Sequence, residues 1–102
     1  MNSTDFNKTV SEARSRQDQI LTVKGADYTR HSEDRLANFK RSAESFGITP
    51  FQVWGIFFQK HIDAIASFVK TGGQSESEPI EGRLDDAHNY LYLLEALIKE
   101  KQ

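Results

Sequence analysis

Residues 49–73 read TPFQVWGIFFQKHIDAIASFVKTGG, and they decide the fold class. Thr49 is a capping residue, Pro50 stands at the first helical position, and Gln52 can return a bond to the cap. Gly72-Gly73 marks the stop. The twenty or so residues between span roughly 30 Å as a helix. Apolar side chains lie on nearly every side of it: Phe51, Val53, Trp54, Ile56, Phe57, Phe58, Ile62, Ile65, Phe68 and Val69. A helix of that kind sits in the middle of a bundle or at a subunit interface.

Helical spacing continues on both sides. Leu36, Phe39, Ala43 and Phe46 recur three and four apart, with Ser32 as the expected N-cap and Gly47 as the residue after the helix. Beyond a polar loop at 74–78, Ser77-Glu78-Pro79 opens a last helix to about Glu100. Ile80, Leu84, Ala87, Leu91, Leu94 and Ile98 form one stripe on it; Asp86, Tyr90, Leu93 and Leu97 form the next, placing Asp86 at the edge of the buried surface. Residues 4–23 read as a first helix whose middle, Ser11 to Gln19, is polar, so it is peripheral or packed on a partner. The expectation is an all-α single domain, residues 1–102. It is a four-helix, bundle-like unit with 1–23 as a peripheral N-terminal helix, and it is oligomeric through the third helix.

The formal net charge is −2, which argues against a general duplex-DNA binder. No apolar run is long enough to span a membrane and no signal-peptide core opens the chain, so a soluble, cytoplasmic protein is expected. Cysteine is absent, which removes disulfides, thiolate zinc sites and thiol nucleophiles.

Two clusters carry more polar chemistry than helix building requires. One contains Lys24, Asp27 and Tyr28, followed by Arg35 and Asn38; the other contains Asp86, Asn89 and Tyr90. Together they offer cations, carboxylates, amides and phenols, the groups that hold a nucleotide, and they are expected to share one pocket. Asp86 needs a partner at the bundle edge, with Lys60, an arginine or a bound cation as candidates. A plainer account is open for each cluster. Asp27 and Tyr28 can make a turn. The bases of 24–41 can form a solvated face, or neutralise the acids of 76–86 across the fold. His61 on an apolar stripe is more often a hydrogen-bonded core residue than a ligand, and Trp54 beside Phe57 and Phe58 is more often core than a base-stacking platform. No HExxH element, GxSxG element or Gly-rich phosphate loop is present, so neither zinc nor nucleophilic catalysis is expected.

These same residues resemble a family of small phage-encoded domains described as nucleotide-modification-associated. Members carry K-x-x-D-Y, N-F, a lysine before an apolar helical stretch, and D-x-x-N-Y. Here those are Lys24, Asp27 and Tyr28; Asn38 and Phe39; Lys60; and Asp86, Asn89 and Tyr90. The match spans roughly residues 20–98, and residues 24–102 are taken as the region of resemblance. It implies a phage or prophage origin, a host-cell cytoplasmic location and a link to nucleotides. A more distant similarity is to the all-α MazG-like nucleotide pyrophosphohydrolases, which hold Mg²⁺ with paired carboxylates on two helices. Asp86 followed by Tyr90 fits the end of that pattern. Arg83 stands where a glutamate is expected, and Gln59, Lys60, His61 and Asp63 replace the paired glutamates of the other helix.

Three functions follow as expectations. The first is a non-hydrolytic binder of a nucleotide or other phosphorylated small molecule, without metal or cofactor, for which the phage-domain resemblance implies either sequestration of a nucleotide signal of bacterial immunity or binding of precursors of modified DNA. The second is a divergent pyrophosphohydrolase in which Asp86, with Asp63 or Glu81, holds Mg²⁺. The third is a helical interaction module whose acidic 76–86 segment docks on a host protein.

Overall fold

The computed structural model describes residues 1–23, 33–73 and 79–101. Four helices account for most of them: α1 (Ser3–Val23), α2 (Ala37–Phe46), α3 (Pro50–Lys70) and α4 (Ile80–Lys101). No strand occurs among the described residues, so the all-α class holds. None of these helices is long and apolar enough to cross a membrane.

The start of α3 is built as its sequence implies. Thr49 Oγ1 accepts from Gln52 N at 3.1 Å, and Gln52 Oε1 accepts from Thr49 N at 2.9 Å. The reciprocal bonds satisfy two donors that a helix start otherwise leaves open. Gly47 ends α2 at φ 67°, a left-handed conformation that a residue with a Cβ adopts only at a cost.

α2 begins later than Ser32 would place it. Its N-cap is Leu36, and no side chain caps it. Asp34 shapes the entry instead: Oδ1 accepts from Leu36 N at 2.9 Å, its carbonyl accepts from Ala37 N at 3.1 Å, and Oδ2 accepts from Lys40 Nζ at 2.7 Å. This aspartate turn puts Leu36 into the core ahead of the helix proper. Ser32, Ser77 and Glu78 lie outside the described residues.

The core forms among α2, α3 and α4. Leu36, Phe39, Ala43, Val53 and Leu97 are buried, with Ile48, Phe51, Trp54, Phe57, Tyr90 and Leu93 packed against them. Of the two stripes on α4, the one carrying Tyr90, Leu93 and Leu97 meets this core. The other is mostly open: Leu84, Leu91 and Ile98 are exposed, and only Ala87 is buried. Nor is α3 central. It packs on α2 and α4, while Ile56, Ile62 and Val69 face outward.

α1 docks on α4 through its polar middle. Gln17 is 6% exposed, whereas Phe6 is 58% exposed. Arg16 Nε donates to Asp85 Oδ2 at 2.8 Å, and Gln17 Nε2 donates to Asp85 Oδ1 at 3.0 Å. Asp85 is 3% exposed. Burial is the strongest single influence on its carboxyl and opposes ionisation. The hydrogen bonds from Arg16 and Gln17 and the charge of Arg16 together outweigh it, so the pKa lies below its ordinary value.

Candidate functional site

The residues that hold the four helices together leave a cavity of about 210 Å³ where all four approach one another. α1 supplies Ile20 and Leu21, and α3 supplies Phe57, Lys60 and His61. Asn38 and Phe39 come from α2 and Arg35 from the turn before it; α4 contributes Asp86, Asn89, Tyr90 and Leu93. The apolar members Phe39, Phe57 and Leu93 also belong to the core or pack against it. Six of the nine ligand candidates read from sequence are therefore brought together: Arg35, Asn38, Lys60, Asp86, Asn89 and Tyr90. Lys24, Asp27 and Tyr28 lie outside the described residues, so the shared pocket expected between them and Asp86 is untested.

The cations sit on exposed side chains. Arg35 Nη2 donates to the Leu21 carbonyl at 2.8 Å, tying the turn to α1 and leaving most of its guanidinium donors available. Lys60 is exposed on α3. Asn38 Oδ1 accepts from Arg41 Nη2 at 2.7 Å.

His61 is the residue whose role the sequence undersold. It is 3% exposed, and neither ring nitrogen has a hydrogen-bond partner among the described residues. The expected hydrogen-bonded core histidine is not what forms. Its ring lies 4.9 Å from that of Tyr90, tilted 44°, and Nδ1 stands 4.0 Å from Asp86 Oδ2. Burial lowers its pKa below the ordinary value of 6.5, Asp86 opposes that, and Lys60 and Arg83 reinforce it. The imidazole is therefore neutral at pH 7, offering one donor and one acceptor. A second orphan belongs to a lining residue of α4. Asn89 is 5% exposed; its Nδ2 donates to the Gln17 carbonyl at 3.3 Å, while Oδ1 has no partner among the described residues. Each buried polar atom left without a partner costs about 1–3 kcal/mol, and unpaired groups of this kind call for an explanation.

Of two neighbouring carboxylates, the buried one is not the one singled out by sequence. Asp86, with 41% of its side chain exposed, carries little burial penalty and needs no cation. Asp85, not singled out by sequence, bears that penalty and meets it with Arg16. The neutralisation expected between 24–41 and 76–86 does not form among the described residues: Lys40 pairs with Asp34 and Glu100, and Asp85 with α1. Trp54 takes the core role, stacking on Phe58 at 4.6 Å and donating from Nε1 to the Tyr90 carbonyl at 2.6 Å.

Asp86 is the one carboxylate lining the cavity among the described residues, and no group of three His, Cys, Asp or Glu there is arranged to hold a metal ion. Asp63 accepts from Gln59 Nε2 at 2.8 Å on the exposed side of α3, and Glu81 is exposed; neither lines the cavity.

Comparison with protein-family models, curated proteins and solved structures finds no match to this chain.

Proposed function

We propose that this cavity binds a nucleotide or closely related phosphorylated small molecule without cleaving it. The supporting observation is that dry polar atoms without a bond, the two ring nitrogens of His61 and Oδ1 of Asn89, belong to residues lining the same cavity as the exposed cations Arg35 and Lys60. A neutral heterocycle can bond the first pair while a phosphate meets the second. At about 210 Å³ the cavity suits a base or nucleoside fragment, with phosphates at the rim. Pockets for complete drug-sized ligands run to about 300–1,000 Å³. The single lining carboxylate favours phosphate binding by cations over the magnesium-dependent pyrophosphohydrolase. Sequestration of a nucleotide signal, or binding of precursors of modified DNA, is the biological role that would follow from the phage-domain resemblance.

A homo-oligomer is part of the same proposal. The exposed Ile62 and Val69 on α3 are seven residues apart, as are Leu84, Leu91 and Ile98 on α4. That spacing is the one at which helices pair with helices, and a second copy supplies a matching set.

A thermal-shift panel of mono-, di- and cyclic nucleotides with and without Mg²⁺ tests the proposal. Stabilisation independent of Mg²⁺ is expected. Stabilisation that requires Mg²⁺, with turnover, would favour the hydrolase. No response to any nucleotide would favour an interaction module, although Asp85, one acid of its docking segment, is committed to α1.

A further inference from the structure

The amide of Asn89 has two ends in different circumstances. Nδ2 is bonded to the Gln17 carbonyl of α1, and a backbone carbonyl only accepts, so this bond settles which end of the amide faces α1. Oδ1 is the free end. It is sealed from water and has no donor among the described residues. The orientation is held from behind. Arg16 and Gln17 both bond Asp85, which fixes α1 on α4 and with it the Gln17 carbonyl. Turning the Asn89 amide over would set two acceptors against each other.

We infer that Asn89 selects the neutral end of the ligand, accepting a hydrogen bond from an amino or imino N–H of a nucleobase, and that Arg16, Gln17 and Asp85 are positioning residues for that selection. This rests on the nucleotide-binding proposal and adds what the base must offer. His61, being neutral, can meet either a donor or an acceptor. Asn89 Oδ1 can meet only a donor. Because that oxygen is already dry, the ligand's N–H gains a bond with no further loss of water from the protein side. A base lacking the N–H gains nothing there.

The test is calorimetric titration of the wild-type protein with AMP, GMP, CMP and UMP. Each is matched with an analogue whose base N–H hydrogens are absent or methylated. The donor-bearing member of a binding pair is expected to be tighter by about tenfold or more. That ratio should close in Asn89→Ala and narrow in Asp85→Asn, a change that general destabilisation does not produce. Equal affinity within the pairs, or a ratio that survives Asn89→Ala, overturns the inference and leaves nucleotide binding standing. If no nucleotide or analogue binds, the nucleotide proposal fails and this inference with it. Where Asn89→Ala does not fold, Asn89→Leu, which keeps the shape and removes the acceptor, should close the ratio in its place, and equal affinity within the wild-type pairs still overturns the inference.

Discussion

Two seams join this molecule, and they are made of different material. α2, α3 and α4 meet through Phe39, Ala43, Val53 and Leu97, a contact of volume and apolar area. α1 and α4 meet through Arg16, Gln17, Asp85 and Asn89, a contact of directed bonds. Apolar contacts tolerate small shifts; hydrogen bonds fix atoms. The cavity opens where the seams meet: Phe39, Phe57 and Leu93 line it from the first and Asn89 from the second, while Ile20 and Leu21 of α1 and His61 of α3 complete it.

The contrast breaks most severely at Phe39. Phe39→Ala removes a buried ring that meets Phe57 at 6.2 Å and Tyr90 at 6.3 Å. A loss of about 3–5 kcal/mol is expected, seen as a large fall in the chemical-denaturation midpoint for the whole domain. Asp85→Ala should cost less, about 1–3 kcal/mol, because Arg16 is half exposed and returns to water. Its signature is local: hydrogen exchange should lose protection in α1 while the amides of α2 and α3 keep theirs. Equal loss in all helices would mean that the seams are one cooperative unit.

Acid separates the seams further. The His61 pKa is lower in the folded protein than in the unfolded chain, so protonation favours unfolding. Stability should be whole above about pH 6.5, fall as pH drops through that value, and level off below the folded pKa. His61→Phe should remove that step. Asp85 also has a lowered folded pKa, so its contribution persists above about pH 4 and disappears as pH falls through the lower folded value. Unfolding free energies measured across this range should show two separated declines.

The smallest expected effect on the fold is that of Ile62→Glu on open α3. Light scattering should report monomer where the wild type is a dimer or larger. A monomeric wild type at micromolar concentration would contradict the oligomer.

Legibility in the sequence follows the same division. The capping box at Thr49, the glycine at 47 and the apolar spacing of Phe39 and Ala43 are local signals, and they placed the helices and much of the core. Asp85 and Asp86 sit only about 100° apart on α4; apolar periodicity placed Asp86 at the edge of the buried surface, where it is, and left the buried Asp85 unmarked. A signal was present in α1: Ala13, Gln17 and Ile20 keep three- and four-residue spacing, which puts Gln17 on the buried line. Nothing local says that Arg16 and Gln17 will meet a residue 68 or 69 positions later. The unbonded state of His61 depends on what α4 sets against it, Tyr90 and Asp86, and has no sequence signature.

The measurement closest to the central claim is titration of the nucleotide selected by the thermal-shift panel, in EDTA, against wild type, Arg35→Ala, Lys60→Ala and Asp86→Asn. The account predicts metal-independent binding that weakens about ten- to hundred-fold on loss of either cation and changes little in Asp86→Asn. Binding that vanishes in EDTA, or metal-dependent release of phosphate or pyrophosphate that Asp86→Asn abolishes, would contradict it.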